Sequence, residues 1–400
     1  MNRVLAVVAC CLALTGCAVA VPEPSRSASP EASRTSSRPP SASASPTAST
    51  STSPTAAPQQ RCLTTAAALS PQAQVGQLIM VGVNGPLTAD ERAMITSQQL
   101  GSVVLLGTQA GGVKQLAATT AQLSGLKTAV PVVTAADQEG GLVQRLTGPG
   151  FSTIPNANQQ AKLSDAELRT AAQKWGSQLA AAGVRWNLAP VADVVPKAKL
   201  KTNQPIGVLH RGYGTDPAVV AEKTQAVIDG LKAAGVAASV KHFPGLGEVV
   251  GNTDFASGIV DSVTTSESAS LAPFRAAAQA GVASVMISSA RYPRIDSKNQ
   301  AVFSAKVIGL VRGWGYTGVV ISDDLGAAAS VRKIPAGQRA VRFVQAGGDV
   351  VIDADPSLAP AMTKALLAKA AKDPTFAARV TESAARVLAL KQDLGVFRCG

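Results

Sequence analysis

Asp323 closes the apolar run Val319-Val320-Ile321-Ser322, so it is placed to rise from a buried strand into a pocket. A carboxylate there suits a nucleophile or the stabiliser of a developing cation, the competing role being a helix N-cap. Its neighbour Asp324 faces elsewhere and fits a cap better. Lys241 and His242 stand side by side ahead of Phe243-Pro244-Gly245, two donors in a chain whose other strand ends are rich in carboxylates. That adjacency favours ligand binding over an ordinary core role. Asp137 and Arg145 flank Gly140-Gly141. A strand-end carboxylate can accept hydrogen bonds from two vicinal hydroxyls, and Arg145 can bind it or fix the loop; a structural salt bridge between the two is the alternative reading. Arg211, in a glycine-containing loop over 206–217, is either a sugar- or anion-binding residue or a surface arginine. The stretch Gly245–Gly258 holds four glycines with Glu248, Asn252 and Asp254, and reads as a mobile loop over the pocket. Several carboxylates with a lysine and a histidine, and neither a metal-ligand cluster nor a phosphate loop, point to glycoside chemistry. A retaining mechanism needs one carboxylate to attack the anomeric carbon and a second group to protonate the leaving oxygen. That proton donor needs a pKa raised towards the working pH.

The elements that must position these groups are short apolar runs separated by Ala-rich helical stretches. Eight runs read as strands: Leu78–Val83, Ser102–Leu106, Pro131–Ala135, Val184–Ala189, Ala238–His242, Ala283–Ser288, Gly318–Ser322 and Asp349–Asp353. Between them, Asp165–Ala182, Val219–Ala234 and Ser268–Ala280 carry apolar residues at three- and four-residue spacing. Continuous apolar strands with helical crossovers predict a parallel α/β sheet. Eight of them predict a single (β/α)8 TIM-type barrel, whose active site lies at the carboxyl ends of the strands. An open doubly wound sheet would show a dinucleotide turn after its first strand, and Met80-Val81-Gly82-Val83-Asn84-Gly85 has the wrong glycine spacing. The strand ends converge on one face as Asp137-Gln138-Glu139, Asp193, Lys241-His242, Ser288-Ser289 and Ser322-Asp323-Asp324.

Composition narrows the rest. The 400 residues are 46% hydrophobic and 16% charged, which excludes whole-chain disorder. With two histidines and five cysteines, a multi-ligand Cys/His zinc site is disfavoured and no metal or cofactor is expected. Aromatic residues are 4% of the chain and the +12 charge is spread without a basic block, so nucleic acid is not an expected partner. A basic surface meeting anionic lipid or wall polymer is the plainer account.

Residues 1–16 read as an export signal: Arg3, an apolar stretch Val4–Leu14 too short to span a bilayer, and small residues before Cys17. Leu14-Thr15-Gly16-Cys17 resembles the bacterial lipobox, which implies a lipid anchor on Cys17 and the extracytoplasmic face of the cell membrane. Residues 17–61 read as a disordered tether; 32 of the 40 residues in 21–60 are Ser, Thr, Pro or Ala. The globular part is then 62–400, and it carries +9, because Arg3 precedes it and four arginines against two glutamates lie in the tether. Cys10 and Cys11 leave with the signal, and Cys17 is modified. Cys62 and Cys399 remain at the two ends of the domain and are expected to pair in an oxidising compartment. The chain-entropy model allows such a bridge roughly 5 kcal/mol at most.

Five ordered motifs carry a resemblance. They are Asp137-Gln138-Glu139-Gly140-Gly141-Leu142-Val143-Gln144-Arg145, Asn187-Leu188-Ala189-Pro190-Val191-Ala192-Asp193, Arg211-Gly212-Tyr213-Gly214-Thr215-Asp216-Pro217, Lys241-His242-Phe243-Pro244-Gly245 and Ser322-Asp323-Asp324-Leu325. Together, over roughly residues 70–390, the chain resembles glycoside hydrolase family 3, specifically its single-domain bacterial β-N-acetylhexosaminidases. The resemblance implies a retaining mechanism with Asp323 as nucleophile. It implies that Asp137, Arg145, Arg211, Lys241 and His242 line the site for the terminal sugar. It also implies removal of N-acetylglucosamine from wall-derived fragments, without metal or organic cofactor; a monomer is expected. One departure stands out: where members of this group often have Asp-Ser-His, with the histidine as acid/base, this chain has Asn252-Thr253-Asp254. Neither His242 nor His210 can fill that place. The surrounding loop looks like an actinobacterial lipoprotein branch of the family, and Asp254 is expected to donate the proton, with Glu248 as second candidate. A β-glucosidase, a phosphorolytic enzyme, or a sugar-binding lipoprotein that has lost catalysis are the competing readings.

Overall fold

The computed structural model describes residues 56–400; the signal segment, Cys17 and residues 17–55 lie outside the described residues. Eight parallel strands close into a barrel. In chain order the strands are β1 (Ile79–Asn84), β2 (Ser102–Leu106), β3 (Val133–Ala136), β4 (Gln138–Gly140), β5 (Val143–Gln144), β6 (Trp186–Asn187), β7 (Ala237–Phe243), β8 (Ser284–Ile287), β9 (Val319–Asp324) and β10 (Val350–Asp353). Going round the barrel, β1 is followed by β10, β9, β8, β7, β6, β3 and β2, and β2 closes on β1. All eight predicted runs are barrel strands. The antiparallel pair β4–β5 is an addition the apolar pattern did not announce. It turns on Gly140 and Gly141, at φ 105° and 56°, where a side chain would be strained.

The helices form where their sequences cap them. Ser164 and Glu167 make a reciprocal capping box that opens the helix Asp165–Ala181, and Asp216 caps Pro217–Ala233 with Pro217 at the first position. Apolar residues are partitioned by strand parity. Met80, Val104, Val133, Ala135, Trp186, Ala237, Met286, Val319, Ile321, Val350 and Ile352 fill the barrel interior, while alternate residues such as Val81, Val103, Val240, Val320 and Val351 pack under the helices. The interior tryptophan finds donors' partners in its own layer: Trp186 Nε1 donates to Ser239 Oγ at 2.8 Å and to Ser284 Oγ at 3.0 Å.

The amino end of the barrel is sealed by the last helix, Pro374–Asp393, whose Val387 and Leu390 join the interior cluster. Lys391, from the same helix, is buried and donates to Gln77 Oε1 (2.7 Å), Gly101 O (2.8 Å) and Pro131 O (2.7 Å). Asp349, fully buried just before β10, is surrounded by Arg312 (2.5 Å), Arg379 and Arg386 (3.2 Å). Cys62 and Cys399 form the expected disulfide, joining residues 337 apart with Cα atoms 4.9 Å apart. One boundary is corrected: a helix spans Ala56–Ala68, so residues 56–61, assigned to the tether, belong to the folded domain. The Ser/Pro-rich composition ends at Pro58, which the first helical turn tolerates, and Gln59-Gln60-Arg61 are good helix formers.

Candidate active site

The interior parity that packs the barrel also aims the site. Val133 and Ala135 point inward, so Asp137 does too, and Glu139 extends the same line. Ala237 and Ser239 point inward below Lys241, and Val319 and Ile321 below Asp323. A lysine and three carboxylates therefore meet above the Trp186 layer.

Lys241 is the hub of the resulting charge cluster. Its Nζ lies 2.5 Å from Asp137 Oδ1 and 2.6 Å from Glu139 Oε1, with its side chain almost fully buried. Burial alone would lower the lysine pKa, but Asp137 and Glu139 outweigh it and raise it. Glu139 is in turn gripped by Arg211, whose Nε and Nη2 reach its two oxygens at 2.8 and 2.7 Å, the fork geometry only arginine offers. Burial pushes the Glu139 carboxyl up, and Arg211 with Lys241 more than reverses that, holding it far below the usual carboxylate range. Arg211 also donates to Pro205 O at 2.8 Å. Arg211 thus braces Glu139 beside the charge cluster.

His242 faces the same space from the adjacent position. Its Nδ1 lies 2.8 Å from Asp193 Oδ2. Asp193 is wholly buried, and its other oxygen accepts from the backbone N–H of His242 (3.2 Å) and of Leu246 (2.7 Å). A carboxylate acceptor there puts the proton on Nδ1 and leaves Nε2 for a ligand. No salt bridge joins Arg145 to Asp137 among the described residues. Asp137 pairs with Lys241, and among the described residues the Arg145 guanidinium makes no hydrogen bond or ion pair. Only its backbone is engaged, donating to Asp137 O at 3.2 Å and accepting from Gln109 N at 2.8 Å.

Asp323 differs from Asp137 and Glu139, because it has no cation bonded to it among the described residues. Its Oδ1 accepts from the Asp324 N–H at 2.9 Å. Burial, reinforced by repulsion from Asp254 and opposed by His242, pushes its carboxyl up to about 6. Asp324 has the anchoring role expected of it, though not as a helix cap: its two oxygens accept from Gly326 N (2.7 Å), Ala327 N (2.9 Å) and Ala354 N (3.0 Å), fixing the turn after β9.

The loop read as mobile is braced on three sides. Asn203, completely buried, donates to Leu246 O (2.7 Å) and Val249 O (2.8 Å) while its own oxygen accepts from Ile206 N and Gly207 N. Gln204 N donates to Val250 O at 2.9 Å. On the far side, Ser330 N donates to Thr253 O (3.1 Å) and Ala329 N to Asp254 O (3.0 Å). Gly247 passes so close to the β6 loop that a Cβ would sit 1.8 Å from Val194 O. These bonds deliver Asp254 to the β9 end, near enough for its charge to act on Asp323. Glu248 is engaged elsewhere, 2.5 Å from Lys199 Nζ. Of the two acids on this loop, Asp254 acts by its charge on Asp323 and Glu248 is tied to a lysine.

Glu139, Asp193 and Asn203 were given no role from the sequence. Glu139 was findable, since it shares Asp137's face two residues on. Asp193 and Asn203 act across 49 and 43 residues on backbone groups of another loop, which leaves no local signal.

Comparison with known proteins follows the same lines. The family model described as glycosyl hydrolase family 3 N terminal domain matches residues 72–390. A beta-hexosaminidase of Xanthomonas oryzae pv. oryzae is 34% identical over 292 residues, covering 70% of this chain and 84% of that protein. The crystal structure of a beta-N-acetylhexosaminidase from Beutenbergia cavernae superposes with a TM-score of 0.79 at 44% identity, covering 81% of this chain and 99% of that one. M. tuberculosis LpqI superposes with a TM-score of 0.72 at 27% identity, covering 82% and 96%.

Proposed function

Since the chain belongs to glycosyl hydrolase family 3, we propose that it is a retaining exo-β-N-acetylglucosaminidase that removes terminal N-acetylglucosamine from peptidoglycan-derived fragments. The observation that carries this is a buried Asp323 with no bonded cation among the described residues, its carboxyl raised by burial and by the charge of Asp254 on a braced loop. Asp323 attacks the anomeric carbon as the glycosidic bond breaks, and Asp254 gives its proton to the departing oxygen. The sugar is then held as an ester on Asp323. Asp254, now a carboxylate, takes a proton from water, whose oxygen attacks the anomeric carbon and frees Asp323. Asp137 and Lys241, with His242 Nε2, supply the acceptors and donors for the hydroxyls of the terminal ring. A second carboxylate beside the nucleophile repels inorganic phosphate, so water is the acceptor and the reaction is hydrolysis.

Incubation with an activated 2-fluoro glycoside tests the assignment. The expected product is a covalent adduct on the peptide containing Asp323. Saturable binding without an adduct would make the protein a sugar-binding module instead.

The chain is exported and held on the outer face of the cell membrane by lipid on Cys17, acting as a monomer. The Leu14-Thr15-Gly16-Cys17 motif supports the anchor, and the Cys62–Cys399 bridge fits an oxidising compartment. Cys17→Ala should release the protein from the membrane fraction and abolish incorporation of labelled fatty acid.

A further inference from the structure

Eight large apolar side chains are exposed among the described residues; seven lie in loops that follow barrel strands and the eighth, Val219, in the first turn of the helix Pro217–Ala233. They sit on the segments that follow β3, β6 and β7, including Leu142, Val208, Val250 and Phe255. These three strands are consecutive neighbours round the barrel, so the apolar residues form one arc of its mouth. The same arc supplies Asp137, Glu139, Lys241, His242 and Asp254. Asp323 stands apart from it on β9.

Phe255 is the extreme member. It is 84% exposed, and it is the single aromatic among the exposed large apolar residues of a chain with eight Phe, three Trp and three Tyr. An exposed phenyl ring forgoes roughly 2 kcal/mol of burial that packing would give it. Nothing in the loop covers it, yet its backbone is held: Phe255 N and Ala256 N both donate to Asn252 O, at 3.2 and 2.9 Å. The preceding carbonyl, that of Asp254, is tied to Ala329 N. The ring is therefore mounted on a fixed turn, one residue from the carboxyl that must meet the glycosidic oxygen. Whatever leaves with that oxygen departs on the same side.

We propose that Phe255 is a specificity-determining residue that stacks against the leaving group, and that this group is a second pyranose ring presenting its C–H face. The inference rests on the exo-glycosidase reading above. A pyranose fits because it joins one apolar face to an equatorial rim of hydroxyls, and the mouth offers an apolar ring bordered by Asp254 and the charged cluster. Phe255 has no place in binding the terminal sugar, which lies deeper, against Asp137 and Lys241.

The test compares Phe255→Ala and Phe255→Trp with the parent enzyme on N,N′-diacetylchitobiose, with free N-acetylglucosamine as a competitive inhibitor that needs only the terminal site. Loss of the ring should lower kcat/KM for the disaccharide about tenfold, which corresponds to about 1.4 kcal/mol. The inhibition constant of N-acetylglucosamine should stay within about twofold, and tryptophan should restore cleavage. If Phe255→Ala cleaves the disaccharide as the parent does, or weakens the monosaccharide equally, the platform does not exist. If the parent itself fails to cleave the disaccharide while binding N-acetylglucosamine, the glycosidase reading falls first and the platform with it.

Discussion

Two lysines are buried at opposite ends of this barrel, and they are treated in opposite ways. Lys241, at the mouth, sits between two carboxylates, and its pKa is raised because Asp137 and Glu139 outweigh its burial. Lys391, at the floor, meets three neutral oxygens, and burial pushes it down to about 7. The aspartates reverse the pattern. Asp349 at the floor is enclosed by three arginines, whereas Asp323 at the mouth has none bonded to it and is pushed up to about 6. At the floor, Asp349 is enclosed by cations and the three oxygens around Lys391 accept from it. At the mouth, Lys241 and Arg211 are consumed in holding Asp137 and Glu139, and Asp323 is left without a bonded cation among the described residues. Burial is common to both ends; what separates sealing from catalysis is which group the partners leave unpaired.

The largest test of this contrast is Asp323→Ala. Removing a nucleophile should cut turnover by about 10⁴-fold or more, while the thermal midpoint stays close to that of the parent. Residual activity above about 1% would move the nucleophile elsewhere. Asp254→Ala should lose about 10²- to 10³-fold on a glycan substrate, less on an activated aryl glycoside, with azide restoring turnover as a glycosyl azide. Glu248→Ala, which only frees Lys199, should stay within about twofold. A reversed ranking would hand the proton to Glu248.

The next effect is in pH. With Asp323 at about 6, kcat/KM on an activated substrate should fall as pH drops below that value, since the nucleophile takes up a proton. Asp254→Asn removes the like charge and should carry this acid limb to lower pH. A limb that stays in place would deny the coupling of the two carboxyls.

The smallest effect is at the floor. Lys391 is lowered in the folded state from its ordinary value to about 7, so above pH 7 the unfolded chain holds a proton that the folded chain has lost. Stability from this group therefore rises with pH between about 7 and 10.4. Lys391→Met strands three carbonyl acceptors, at a cost of about 1–3 kcal/mol. In denaturant titrations the gap between parent and variant should widen from pH 7 to pH 9.5. A constant gap would mean that Lys391 does not titrate there. For Lys241 the sign is opposite: its raised pKa means its contribution is complete below about 10.4 and declines only above that.

Much of this was legible in the residues. Continuous apolar runs such as Ser102–Leu106 and Val319–Ile321 can only be buried strands, and period-two parity carries Asp137, Lys241 and Asp323 to the inner side once the barrel is assumed. The hairpin β4–β5 was hidden because five residues around two glycines contain too little apolar pattern. The tether boundary was misplaced by six residues because composition changes gradually through Pro58, whereas helix formation is cooperative and starts at one point. Arg145 and Arg211 were read alike, as arginines near a pocket. Only packing distinguishes the one that clamps Glu139 from the one whose guanidinium makes no bond within the described residues.

By itself, then, the order of residues determined which segments are strands, which faces are buried and which acid tops the seventh barrel strand, because periodicity and burial are properties of neighbours along the chain. Tertiary structure decided the partners: Lys241 with Asp137 across 104 residues, Arg211 with Glu139 across 72, His242 with Asp193 across 49. Those choices depend on through-space distances of about 3 Å between groups set on different loops. No spacing along the chain encodes such distances until the barrel closes and brings the loops together.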